Sequence, residues 1–188
     1  MRLFMLSAVC GGEDVDMKKS LGRVSLFIFP LMAVAGILLC VPQQYLTVTD
    51  ERGAVVYLRP VKLGERYTVR FIHSVARRPV DEIYEIAPDC SILRETVYDM
   101  MGAGLPTEPL DGQTFTVEDG AYHIRGFHLR IPVLTYRISK VAADHTLFVG
   151  NDEFRLKQWV SAPGKPLTFT VHRGNLFELL KFQCRSML

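Results

Sequence analysis

The sequence has few of the residues from which ready-made sites are built. It holds four cysteines and a single tryptophan in 188 residues. No C-x-x-C and no zinc-ligand spacing occurs, which excludes the common zinc modules. Charge of one sign is also lacking: 22 Lys+Arg stand against 20 Asp+Glu, a formal net charge of +2. There is no basic stripe interleaved with aromatics, so nucleic acid is not an expected partner. The sequence contains no G-x-G-x-x-G, no G-x-x-x-x-G-K-[ST] and no G-x-S-x-G, which removes the dinucleotide, P-loop and nucleophile-elbow fingerprints. Internal repeats, low-complexity segments and, beyond residue 42, long helical periods are missing as well.

What is present is one long apolar run. Residues Val24 to Val41 read VSLFIFPLMAVAGILLCV, without a charge, and Lys18, Lys19 and Arg23 precede them. Basic residues before a hydrophobic segment hold that side in the cytoplasm, so the chain after Val41 is expected to be exported. Eighteen residues at a 1.5 Å rise span about 27 Å, close to a thin bilayer core. A membrane anchor uses the whole run, and membrane helices tolerate Pro30. Cleavage at the A-x-A site Ala33-Val34-Ala35 is an alternative, but it leaves an exposed GILLCV start. Lipidation at Cys40 is a third, but a lipobox wants a small residue where Leu39 stands. Met17-Lys18-Lys19-Ser20 reads as an ordinary start for an exported bacterial protein, which makes residues 1–16 an over-extended N-terminus. The expected organisation is therefore 1–16 as that extension, 17–42 as signal-anchor or signal peptide, and 43–188 as one exported domain. Its expected place is the cytoplasmic (inner) membrane, single-pass, with the C-terminal domain facing the periplasm.

Beyond the run the pattern is strand after strand. Tyr45 to Asp50 and Ala54 to Leu58 flank Glu51-Arg52-Gly53; Phe115 to Glu118 and Tyr122 to Arg125 flank Asp119-Gly120; Thr146 to Val149 and Glu153 to Lys157 flank Asn151-Asp152. Tyr67 to Val75, Val80 to Ile86, Ile92 to Tyr98, Phe127 to Ile131, Leu134 to Ile138 and Leu167 to His172 add further candidates. Turn residues at this spacing predict an all-β antiparallel sandwich or barrel-like domain of about nine or ten strands, after a single N-terminal membrane helix. Leu176 to Phe182 reads equally as a last strand or a terminal helix. Cys90 and Cys184 are the cysteines beyond the run, and in an oxidising compartment they form a candidate disulfide.

The sharpest constellation is FIHSVARRPVDEIYE, Phe71 to Glu85. With Ala76 to Pro79 as a four-residue loop, Val75 opposes Val80, Ser74 opposes Asp81, His73 opposes Glu82, Phe71 opposes Tyr84 and Arg70 opposes Glu85. Each position then meets a suitable partner. The outcome is a His73–Glu82 pair on the more apolar face, able to orient a histidine base, supply two ligands to a metal or bind a polar ligand, or simply to finish the edge of a core. Arg77 and Arg78 are read as solvated at the loop tip. Adjacent strand residues face opposite ways, so His73 is not placed to activate Ser74. Gly102-Ala103-Gly104-Leu105-Pro106 is a second feature, either a turn presenting N–H groups to an anion or a tight corner between sheets. The candidate ligand-binding residues are His73, Ser74, Glu82, Gly102 and Gly104. No catalytic set, metal or cofactor is assigned. His123, His128, His145 and His172 read as surface or packing residues, and Trp159 as core.

The order of these features resembles the bacterial domain-of-unknown-function family 1850: an export segment, His73-Ser74-Val75, Pro79-Val80 with Glu82, Gly102-Ala103-Gly104-Leu105-Pro106, and Pro163-Gly164 before a late strand. The resemblance covers roughly Leu46 to Arg173. Members are typically encoded beside tripartite ATP-independent periplasmic (TRAP) transporters with a TAXI solute receptor. The resemblance thus implies an accessory or binding component of such a transporter, with the permease or the receptor as partner. It supplies no catalytic residues. The alternative is a small-ligand-binding or hydrolytic site built on the His-Glu pair and the glycine loop. For the start of the chain the expected result is an intact-mass and N-terminal peptide analysis beginning at Met17; a peptide containing Arg2 to Asp16 contradicts it.

Overall fold

The computed structural model describes residues 41–102, 104–139 and 143–175, together with residues 30, 32 and 36. The chain separates into two compact units, Met1–Val41 and Pro42–Leu188. In the first, Pro30, Met32 and Gly36 are helical. Apart from residues 30, 32, 36 and 41, the anchor assigned to 24–41 lies outside the described residues, as do the extension 1–16, the ambiguous segment 176–182 and Cys184. Among the described residues no helix is long and apolar enough to cross a membrane.

The described residues of the second unit are all-β, with one short 3-10 turn. Its strands are β1 (Gln43–Thr49), β2 (Val55–Val61), β3 (Arg66–Ile72), β4 (Pro79–Ile86), β5 (Ser91–Tyr98), β6 (Thr114–Glu118), β7 (Ala121–Ile131), β8 (Val133–Ile138), β9 (Thr146–Val149), β10 (Asp152–Arg155) and β11 (Lys165–Gly174). A 3-10 turn, Leu156–Gln158, follows β10. The strands form a four-stranded sheet, β2-β1-β11-β8, and a seven-stranded sheet, β10-β9-β3-β4-β5-β7-β6. Every pairing is antiparallel.

Among the described residues eleven strands stand where about nine or ten were expected. The predicted segments 122–125 and 127–131 are one strand, β7, bent where the register against β5 shifts between Leu93 and Glu95. Gly126 lies at this bend with φ 91°, and a Cβ there would meet the Gly112 carbonyl oxygen at 2.5 Å. Only glycine satisfies both demands, so the break in the hydrophobic pattern is a bulge within one strand. The Asp119-Gly120 turn closes β6 on β7 as expected, with Glu118 opposite Ala121.

Alternation along the strands sends one face of each sheet inward. Leu46, Val48, Leu134, Ile138, Leu167 and Phe169 from the smaller sheet meet Tyr67, Val69, Tyr84, Ile86, Leu147 and Val149 from the larger one in a single core cluster. Tyr67 stacks on Tyr84 at 5.2 Å and on Phe169 of the other sheet at 6.4 Å. Its hydroxyl donates to Ser91 Oγ at 2.6 Å, so the buried O–H is paired. Trp159 joins Tyr57 and Phe154 in an aromatic group packed against this core. A second cluster of Val80, Tyr98 and Ile124 takes in Phe71, Leu105 and Phe115. Phe169→Ala is expected to destabilise the domain by about 3–5 kcal/mol. Leu110→Ala, at an exposed loop position, should stay within about 0.5 kcal/mol in the same denaturant titration.

Candidate functional site

β3 ends at Ile72 and β4 starts at Pro79, so the hairpin loop is the six residues His73–Arg78. The ladder runs Ile72↔Pro79, Phe71↔Val80, Arg70↔Asp81, Val69↔Glu82 and Tyr67↔Tyr84. This corrects the expected pairing by four residues: His73 does not oppose Glu82. A shift of four leaves every side chain on its predicted face, so hydrophobic alternation cannot tell the two registers apart. Three local interactions do. Arg70 forms a bidentate pair with Asp81, at 2.6 and 2.7 Å. The Tyr67 and Tyr84 rings stack across the ladder. The loop also closes on itself, with His73 N–H donating to the Arg78 carbonyl at 2.8 Å and Arg77 N–H to the His73 carbonyl at 2.9 Å. Arg77 adopts φ 55° to allow this.

His73 shapes its own loop. Ala76 N–H donates to His73 Nδ1 at 3.1 Å. An accepting Nδ1 places the ring proton on Nε2. That nitrogen faces the glycine segment, where a Cβ built on Gly104 would lie 4.0 Å from it. Leu105 N–H donates to the Gly102 carbonyl at 3.0 Å, closing a turn in which Gly104 has φ 87°. This is the third turn position, where positive φ favours glycine. Gly102 is held small for a different reason: a Cβ there would stand 3.1 Å from Ala76 Cβ in the His73 loop. The Tyr98 hydroxyl donates to the Pro106 carbonyl, and Leu105 packs on the second core cluster. Arg78 is exposed, as predicted, and is also paired through two nitrogens with Asp99, just beyond β5. That guanidinium lowers the Asp99 pKa. The two motifs are therefore neighbours on one end of the domain, joined by the close approach of Gly102 to Ala76 and by an ion pair. Ser74 lies exposed beside them, with Val75, Met100 and Met101 also exposed.

Glu82 belongs to a different group. It points to the inner face, where its carboxylate accepts from the hydroxyls of Tyr84, at 2.9 Å, and Tyr136 of the opposite sheet. The two hydroxyls are 2.6 Å apart. Burial, with the Glu82 charge second, raises both tyrosine pKa values. The Tyr136 ring lies 5.5 Å from that of His145, which in turn sits 5.8 Å from Phe71. His145 is 6% exposed and its Nδ1 has no hydrogen-bond partner. Desolvation lowers its pKa, against a weaker opposing effect of Asp144. Sequence reasoning missed Tyr84 and Tyr136. The available signal was Glu82-x-Tyr84, two residues apart and hence on one face.

The other histidines have structural partners. His123 Nδ1 lies 2.7 Å from Glu95, which Arg125 also contacts at 2.9 Å. His128 Nδ1 accepts from Arg94, and His172 stacks on Tyr45. Among the described residues no three His, Cys, Asp or Glu side chains are gathered to hold a metal. Cys90 is buried.

The fold and these contacts define a two-sheet antiparallel β-domain with two interlocked motif loops at one end. Residues 67–156 match the family model described as "Domain of unknown function (DUF1850)". The match is narrower than the resemblance drawn from motifs. It runs from the second residue of β3 through β10, taking in the seven-stranded sheet and β8, while β1, β2 and β11 fall outside it. No curated protein matches the chain, and no solved structure does.

Two outcomes follow from this geometry. Gly104→Ala forces an L-residue into positive φ and is expected to cost about 1–2 kcal/mol in chemical denaturation. His145 has a lowered folded-state pKa, so the unfolded chain binds its proton more readily. Its contribution is complete above the ordinary histidine value of about 6.5 and is lost as pH falls through the lower folded-state value. Thermal unfolding from pH 7.5 downward, values chosen to bracket that range, should show a falling Tm that is less steep in His145→Gln.

Proposed function

We propose that this chain is a membrane-tethered, extracytoplasmic β-domain that acts as a binding accessory of a TRAP-type solute transporter with a TAXI receptor. The observation that carries the reading is the exposed apolar group at the interlocked loops. Val75 is 67% exposed, Met100 49% and Met101 43%, on loops joined by the Arg78–Asp99 pair and by the close approach of Gly102 to Ala76. Exposed apolar side chains on a preorganised frame suit protein recognition, because little loop entropy is lost on binding. The apolar run at 24–41 supplies the tether, which raises the local concentration of the domain at a membrane partner.

A second reading has one specific observation in its favour. His73 Nε2, as donor, faces the backbone of the glycine turn. A small carboxylate lying between them would meet donors from both sides. In this reading Glu82 plays no direct part.

The test is a pull-down from detergent-solubilised membranes, using the full chain tagged at Leu188. Recovery of a TRAP permease or TAXI receptor, reduced at least about tenfold by Val75→Asp, is the expected result. Recovery unaffected by Val75→Asp, Met101→Asp and His73→Ala together would place the interface elsewhere. Absence of any transporter component would contradict the proposal.

A further inference from the structure

The opposite end of the domain carries features that the motif loops do not explain. Gln44 pairs with Val61, so the connection from β2 to β3 lies at the strand end where β1 begins. Gln43 follows the apolar run by two residues, a reach of at most about 7 Å. The connection is a tight turn. Glu65 N–H donates to the Lys62 carbonyl at 3.0 Å, Lys62 N–H donates to the Glu65 carboxylate at 2.9 Å, and Gly64 has φ 78°. Gly64 N–H also donates to the Ile86 carbonyl at 2.9 Å, which fixes the turn to β4. Leu63 is thereby held at the tip, 58% exposed.

Beside this turn lies an open groove of about 900 Å³, lined by Gln43, Gln44, Arg59 and Lys62 among others. Arg59 is held in place: one guanidinium nitrogen donates to the Val149 carbonyl at 2.8 Å and another lies 3.4 Å from Glu65. Gly150 makes room for it, since a Cβ there would stand 3.2 Å from the guanidinium. Gln44 contributes a buried side-chain oxygen without a hydrogen-bond partner. Lys62 is exposed and enters no ion pair among the described residues.

We infer that this end of the domain docks on the membrane surface, with Leu63 entering the headgroup–acyl boundary and Lys62 and Arg59 meeting lipid phosphates at the groove. The inference rests on the reading of residues 24–41 as a retained anchor. An exposed leucine flanked by a lysine stem suits an interface that is apolar on one side and charged on the other. Anionic headgroups attract cations only near the surface. The short link from Val41 keeps these cations within that reach. A tethered domain needs only weak contacts to hold one orientation, since the second contact is intramolecular. The consequence is functional: the end with His73 and the glycine turn, at the far end of β3 from this turn, is displayed away from the bilayer.

The test uses the full chain with Trp159→Phe, so that one introduced tryptophan reports alone. Leu63→Trp and, separately, Val75→Trp are reconstituted into phosphatidylcholine–phosphatidylglycerol vesicles containing brominated lipid. The proposal expects bromolipid quenching at position 63 and none at position 75. It also expects quenching at 63 to fall at least about twofold with Lys62→Glu or in vesicles lacking phosphatidylglycerol. Chain that sediments with the vesicles but is unquenched at 63, or equally quenched at 63 and 75, overturns the docking and leaves the tether. Chain that fails to sediment because the apolar run has been removed overturns the tether, and the docking with it. Shielding of position 63 that appears only in native membranes, without bromolipid quenching, assigns this end to a protein partner and overturns the proposal.

Discussion

Tyr67 stacks on Tyr84 beside it and on Phe169 across the sandwich, with the Tyr67 and Phe169 rings inclined by only 2°. This three-ring contact crosses both sheets, and much else depends on it. It requires Tyr67 to stand opposite Tyr84, which fixes the β3–β4 register. The register sets the loop at six residues instead of four. The longer loop lets His73 turn its Nδ1 inward to its own backbone and its Nε2 toward the glycine turn. It also moves Glu82 down the strand, away from His73 and into the tyrosine group. An inter-sheet packing interaction thus decides which polar residues can share a site.

The sequence was informative where the physical signal is local. Turn chemistry at Asp119-Gly120 and Asn151-Asp152 located two hairpins, and alternation along β3 and β4 assigned the correct faces. The His73 and glycine motifs, singled out for their chemistry, are neighbours in space. Longer-range information was not legible. Nothing in FIHSVARRPVDEIYE distinguishes two registers four residues apart, because both satisfy alternation and both offer Arg70 an acid. Beside the local contacts, the choice depends in part on Phe169, on which Tyr67 stacks and which is nearly a hundred residues away in sequence. Tyr136 escaped notice for the same reason: its partner, Glu82, lies in the other sheet. The Gly126 bulge looked like a strand boundary because the carbonyl it accommodates belongs to a separate loop.

Antiparallel topology gives the domain two unlike ends. One end holds the start of β1, the Lys62–Glu65 turn and the groove with Arg59. The other holds the His73 loop, the glycine turn and the exposed methionines. The proposed tether, joining at the first end, and the proposed recognition surface at the second suit an accessory component that stands on a membrane. The inner polar group of Glu82, Tyr84, Tyr136 and His145 lies between the sheets near the second end, through Phe71. Its hydroxyls and carboxylate satisfy one another, so it joins the sheets as well as filling the core.

The most direct test of this account is photo-crosslinking in native membranes from a photoreactive amino acid replacing Val75. The account predicts an adduct to a subunit of a TRAP transporter, identified by mass spectrometry. Adducts to lipid alone at that position would mean that the motif end faces the bilayer, and would contradict it.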